Sequence, residues 1–275
     1  MNPNPRPVPH DPEGAAERSR APGRATPDQA ALDQAAPDQA ALDQATLRPT
    51  ASCPAAPNRA DLGSTLVLFD WNGTIADDVE RAVRATNAVL TARGLPELTA
   101  EAFRARWKLP MRAFLTGLDV ADPAAGEQHW NRAMASEPAP VRGNAAATLD
   151  TLRSRGALLG VISAAGSDAV GADLRRTGLA DRFDIVLAGC AAKTAALSGH
   201  RHLRDRAVYV GDTEYDIHCA RAARYHAVGI TGGYREPGDL RSSRPDALID
   251  RLDELVPLLA VLPRGLAAAP EGTRA

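Results

Sequence analysis

An α/β fold is what this sequence predicts: a doubly wound parallel sheet with an all-helical segment inserted after the first strand. Three observations carry the expectation. From Thr65 onward, short apolar runs alternate with helical patterns, the arrangement that produces a parallel sheet covered by helices. The first run ends abruptly on an acidic residue, Asp70. Between the first and second runs lie about 80 residues with helical spacing and no strand candidate.

Residues 1–62 precede this pattern and do not read as a fold. They open on Pro3, Pro5 and Pro7 and continue with Asp28, Asp33, Asp38 and Asp43, each followed by Gln. A period of five matches neither helix nor strand, and bulky apolar residues are scarce, so little burial could offset the entropy of ordering. The composition predicts a disordered tail, an inert extension more than an interaction segment. A second disordered stretch is expected at residues 263–275.

The elements follow in order. Leu66-Val67-Leu68-Phe69 is apolar throughout, as in a strand buried on both faces. Val79, Val83 and Leu90 then share one helical stripe, which Gly94 and Pro96 end. A second helix is expected near Thr99 with Glu101 in its first turn, and others over Arg112–Leu115 and Gly126–Met134. These place a helical cap at residues 79–139. Strands are expected at Leu158–Ile162, Ile185–Leu187, Ala207–Val210 and Ala227–Ile230, with helices at Ala145–Arg153, Ala169–Arg176 and Ile217–Arg224 between them. The core domain is thus residues 63–78 and 140–262, and a ligand would sit at the carboxyl ends of its strands.

Composition excludes several function classes. A formal net charge of −2 offers no broad attraction to nucleic acid or to an anionic membrane. No apolar run approaches the ~20 residues of a membrane helix, and the N-terminus lacks the apolar core of a secretory signal. A cytoplasmic protein without nucleic-acid or membrane partners is expected, its oligomeric state open. Cys53, Cys190 and Cys219 form neither a disulfide framework nor a zinc-ligand spacing. Neither a Gly-x-Gly-x-x-Gly fingerprint nor a Walker A loop occurs. Of the 32 basic residues only Lys108 and Lys193 are lysines, which marks both as candidates for a role that calls for an ammonium, with a plain surface lysine as the other reading of Lys108.

The chemistry concentrates in four ordered segments. Asp70-Trp71-Asn72-Gly73-Thr74-Ile75 follows the first strand, and Ser163 ends the second. Lys193 stands about thirty residues further on, ahead of a helix, and Gly211-Asp212-Thr213-Glu214-Tyr215-Asp216 follows a later strand. In this order and spacing the chain resembles the haloacid dehalogenase-like hydrolase superfamily over about residues 65–260, in its phosphoglycolate-phosphatase-like and phosphonatase-like branch with a helical cap. The resemblance implies a Rossmann-like core and a Mg²⁺-dependent phosphatase of a small phosphorylated metabolite. Asp70 would form an aspartyl-phosphate; Asp70, Asp212, Asp216 and the backbone carbonyl of Asn72 would bind the metal. Ser163, Lys193 and the backbone amides around Gly73 and Thr74 would hold the phosphoryl group, with Lys108 and Arg112 reaching substrate from the cap. Elementary chemistry agrees: a carboxylate at a strand end can attack phosphorus, and the dianion it meets needs cations around it.

Asn72 departs from the pattern. In phosphatases of this superfamily that position is usually a second Asp, which protonates the leaving oxygen; an amide holds no transferable proton at neutral pH. Three readings follow. The substrate has a good leaving group, or the proton comes from elsewhere, such as Glu214. The chain resembles phosphonoacetaldehyde hydrolases, which read Asp-Trp-x-Gly-Thr and use a cap lysine as a Schiff base, here Lys108. Or it binds a phosphorylated ligand without turning it over.

Overall fold

The computed structural model describes residues 61–190 and 192–265. Most of the expected N-terminal tail, Cys53 within it, and most of the expected C-terminal one lie outside these residues. Leu62, assigned by composition to the tail, is buried in the main core, and its N–H donates to the Arg155 carbonyl.

Six strands form one sheet: β1 (Thr65–Phe69), β2 (Leu158–Ile162), β3 (Ile185–Leu187), β4 (Arg206–Gly211), β5 (His226–Ile230) and β6 (Ala247–Ile249). Their order is β3-β2-β1-β4-β5-β6, and every pairing is parallel. The first strand is fully buried because both its neighbours and both its faces are covered, which its unbroken apolar run demands. The last strand, three residues long, was not anticipated. This is the Rossmann-like doubly wound fold that the alternation predicts.

The chain runs outward from β1 through β2 to β3, then returns beside β1 as β4 and continues the other way. At that reversal the connections leave β1 and β4 on diverging paths, and a crevice opens between their carboxyl ends. In register, Phe69 pairs with Val161 on one side and Val210 on the other. The residues just past these strands, Asp70, Ser163 and Asp212, therefore come to one edge of the sheet.

Between β1 and β2 stand four helices: α1 (Val79–Thr91), α2 (Ala100–Arg106), α3 (Met111–Thr116) and α4 (Pro123–Ser136). Thr99 caps α2 by accepting from the Ala102 N–H, and Asp122 caps α4 from Ala125, with Pro123 opening that helix. These helices enclose their own apolar cluster, in which Phe103, Trp107, Phe114 and Trp130 pack edge to face or tilted. The remaining helices, α5 (Ala145–Ser154), α6 (Ser167–Thr177), α7 (Lys193–His200), α8 (Glu214–Ala222), α9 (Pro237–Ser242) and α10 (Leu255–Val261), belong to the sheet region. No helix among the described residues is long and apolar enough to cross a membrane.

Candidate active site

Asp70 leaves β1 with its N–H bonded to the Val210 carbonyl on β4, so its side chain emerges at the crevice. It is almost wholly buried, and its Oδ1 has no hydrogen-bond partner. The Lys193 ammonium lies 3.3 Å from its Oδ2 and 2.6 Å from Asp216 Oδ1. Lys193 opens α7 and is entirely buried, a position an ammonium tolerates only among carboxylates.

Asp212 follows β4 directly. Its Oδ2 accepts the Tyr234 N–H at 2.6 Å and its Oδ1 the Thr74 hydroxyl at 3.2 Å. Two glycines make room for it. A Cβ on Gly73 would stand 2.2 Å from Asp212 Oδ2, and one on Gly233 2.3 Å; Gly73 also has a φ of +73°. Asp216 closes a capping box with Thr213 at the start of α8, so its Oδ2 takes the Thr213 N–H and hydroxyl while its Oδ1 takes Lys193. One residue thus caps the start of a helix and orients the lysine.

Oxygens of Asp70, Asp212 and Asp216 lie within 4.8 Å of one another, all buried. Burial pushes the Asp70 carboxyl up to about 6, against the pull of Lys193 and with a push from Asp216. Asp212 is raised well above the carboxylate range, first by burial and then by Asp216 and Asp70. Burial pulls the Lys193 ammonium down, but Asp216 and Asp70 more than reverse this and hold it charged. Three buried carboxylates thus share one buried ammonium, and Asp70 keeps an unpartnered oxygen. That donor set fits a hard divalent cation, which binds carboxylate oxygens and lowers their proton affinity.

Asn72 sits beside this cluster in a second buried network. Its Nδ2 donates to Asp78 Oδ2 at 2.7 Å, and the Gly73 N–H donates to Asp78 Oδ1 at 3.0 Å. Asp78 also accepts from Arg81 at 2.7 Å and from the Tyr234 hydroxyl at 3.2 Å. Arg81 continues to both oxygens of Asp173 on α6, at 2.8 and 2.7 Å, and Asp173 accepts the Trp71 indole N–H at 3.0 Å. The residues flanking Asp70 are thus clamped from below. Because Asp78 is paired with Arg81 and acts as acceptor, the Asn72 amide presents its nitrogen there. Neither Asp78 nor Arg81, Asp173 and Tyr234 carried a signal in the sequence: Arg81 and Asp173 are 92 residues apart.

A cavity of about 250 Å³ opens above Asp70, Asn72, Ser163 and Asp212. The Ser163 hydroxyl oxygen accepts from the Ala165 N–H at 3.2 Å, which leaves its proton to donate into the cavity. The inserted helices contribute the opposite wall through Trp107, Leu109, Pro110, Met111, Glu127, Trp130 and Asn131.

Several expected contacts do not form. Neither Gly73 nor Thr74 lines the cavity: their N–H groups go to Asp78 and to the Trp71 carbonyl, because the tight turn after Asp70 consumes them. Lys108 is exposed and absent from the lining, so it has none of the desolvation that makes a lysine a Schiff-base nucleophile. Arg112 is exposed on α3, outside the lining, and pairs with Glu127 at 2.7 Å. Glu214 is held by the Arg235 guanidinium at 2.6 Å and does not line the cavity either.

A family profile for haloacid dehalogenase-like hydrolases matches residues 67–230, from β1 through β5. The chain belongs to that family. It is accordingly an enzyme of the hydrolase class. Among curated relatives, the phosphoglycolate phosphatase of Nitrosococcus oceani is 26% identical over 220 residues, 71% of this chain and 96% of that one. That of Synechococcus elongatus is 27% identical over 212 residues, covering 72% and 98%. Among solved structures, a haloacid dehalogenase-like family hydrolase from Streptococcus pneumoniae superposes with a TM-score of 0.62 at 18% identity, over 72% of this chain and 99% of that one. CbbY from Rhodobacter sphaeroides, in complex with phosphate, gives 0.57 at 23%, over 69% and 95%. Both share the fold.

Proposed function

We propose that this hydrolase is a Mg²⁺-dependent phosphatase of a small phosphorylated metabolite, working through an aspartyl-phosphate on Asp70. The observation that carries the reading is the approach of Lys193 to Asp70 within a buried triad of carboxylates, two of which, Asp70 and Asp212, line the floor of a cavity of metabolite size. The phosphatase names of the curated relatives support it.

In this reading Asp70 and Asp212, with the Asn72 backbone carbonyl, would hold the metal. Asp216 chiefly orients Lys193, since protein donors occupy both its oxygens. Mg²⁺, when bound, supplies charge neutralisation at the phosphoryl oxygens and fixes substrate phosphate near the nucleophile. Lys193 pulls the Asp70 carboxyl down against the upward push of burial, which leaves it at about 6 and ionised at neutral pH. Asp70 then attacks phosphorus, and Ser163 donates to a phosphoryl oxygen while the leaving group departs. Water hydrolyses the acyl phosphate and regenerates Asp70. Residues 79–139 act as the cap over a core of residues 63–78 and 140–262, excluding bulk water from the reacting centre.

The test is hydrolysis of p-nitrophenyl phosphate with Mg²⁺. Turnover is expected to vanish with EDTA and in D70N, and acid-quenched wild type should yield a phosphorylated peptide containing Asp70. Persistent activity in D70N would overturn the reading.

A further inference from the structure

We infer that the substrate is an aryl phosphate, the monoester of a phenol without a second anionic group; the inference rests on the phosphatase reading above. Two independent observations converge on it. The first is Asn72, the polar side chain beside Asp70 in the cavity, which has no proton to give. Its orientation is fixed by Asp78, itself committed to Arg81; Glu127 on the facing wall is bound to Arg112, and Glu214 lies outside the lining and is bound to Arg235. The leaving oxygen therefore departs unprotonated. A phenol, with a pKa of ~10 like the tyrosine side chain, does this readily; an alkyl alcohol, a far weaker acid close to water itself, does not.

The second observation is the wall facing the phosphate end. Trp107, Leu109, Met111, Trp130 and Tyr234 line it, including two of the chain's three tryptophans. Although the chain holds thirty arginines, no Arg, Lys or His among the described residues lines the cavity, and Glu127 does. A carboxylate such as that of phosphoglycolate, or a second phosphate, would meet aromatic faces and Glu127, which Arg112 already pairs from outside the lining, and no lining residue among those described offers it a cation. A neutral ring would stack there.

The reaction balances without an enzymic acid. An Asp70 oxygen forms the P–O bond as the P–O(aryl) bond breaks, and aryloxide leaves with the electron pair. Water then forms a P–O bond as the P–O(Asp70) bond breaks. Its proton passes through solvent to the aryloxide, and the net products are phenol and hydrogen phosphate.

The experiment compares phenyl phosphate, acetyl phosphate, a neutral alkyl phosphate and phosphoglycolate with Mg²⁺, each in wild type and D70N. Phenyl phosphate should exceed the alkyl ester and phosphoglycolate in kcat/KM by at least about 10², the low end of what general acid catalysis contributes, and should have a lower KM than acetyl phosphate. Alkyl or phosphoglycolate turnover within tenfold of phenyl phosphate overturns the inference while leaving the phosphatase reading intact. Equal KM for acetyl and phenyl phosphate overturns the ring assignment. If no ester is turned over, the phosphatase reading fails and tryptophan fluorescence decides the pocket: saturable quenching by phenylphosphonate well below the concentration needed for methylphosphonate upholds it, and equal concentrations overturn it.

Discussion

Replacing Arg81 by methionine would test the buried network that clamps the nucleophile loop. The guanidinium makes two hydrogen bonds to Asp78, two to Asp173 and one each to the Met134 and Glu137 carbonyls. All three charged side chains are at most 1% exposed. Methionine retains most of the aliphatic stem, so the loss is chiefly electrostatic. Removing one partner from a buried pair costs about 3–5 kcal/mol, and here two carboxylates depend on one cation, which places R81M near the upper end. That is a large fraction of the ~5–15 kcal/mol holding a typical domain together. The neutralised triple variant R81M/D78N/D173N should recover to within about 2 kcal/mol of wild type, because removing every charge also removes the desolvation cost. Urea unfolding followed by tryptophan fluorescence, with unchanged m-values, reads both. An R81M protein within about 1 kcal/mol of wild type, or a triple variant as unstable as the single one, would refute the argument.

Three other outcomes follow from the geometry. K193R should lose at least about 10²-fold in p-nitrophenyl phosphate turnover despite keeping the charge, since a planar guanidinium cannot fit the buried point between Asp70 and Asp216; near-wild-type kinetics would contradict that. G73A should unfold more easily and lose Mg²⁺-dependent activity, because its Cβ collides with Asp212 and its φ is strained; thermal melts and a Mg²⁺ titration check both. Burial holds the His226 imidazole below its usual value, against Asp246 and the Pro263 carbonyl. The folded state therefore favours the neutral ring: its stability is present above the ordinary value of ~6.5 and is lost as pH falls through the depressed one. H226Q should reduce the fall in Tm between neutral and mildly acidic pH, and an unchanged slope would show that this ring does not contribute.

The sheet was largely legible because its determinants are local. Short apolar runs stand out in the sequence, and five of the six strands announce themselves so, although only a central strand such as β1 is covered on both faces; Val186 and Leu187 of β3 stay exposed at the sheet edge. Asp70, Asp212 and Lys193 were legible for a related reason: each stands at a strand end or a helix start, so position along the chain predicts position in the crevice. Side chains on the inserted helices followed no such rule. Lys108 and Arg112 share a segment with Trp107 and Met111, yet the first two face outward while the latter two line the cavity. Short helices joined by turns leave the facing of each residue to packing. The Gly73 and Thr74 amides were misjudged because the turn that exposes Asp70 closes on itself.

By itself the sequence determined the α/β class, the order of the strands along the chain and the acidic and basic groups that meet at the carboxyl edge. These depend on periodicity and chain position, which are properties of neighbouring residues. Only the tertiary structure decided what Asn72 does. Its partner Asp78 is six residues away, but Asp78 is held by Arg81, Arg81 by Asp173 on another helix, and Tyr234 reaches in from beyond β5. Side-chain pairing across such separations is set by how helices pack on the sheet, and no local pattern encodes it.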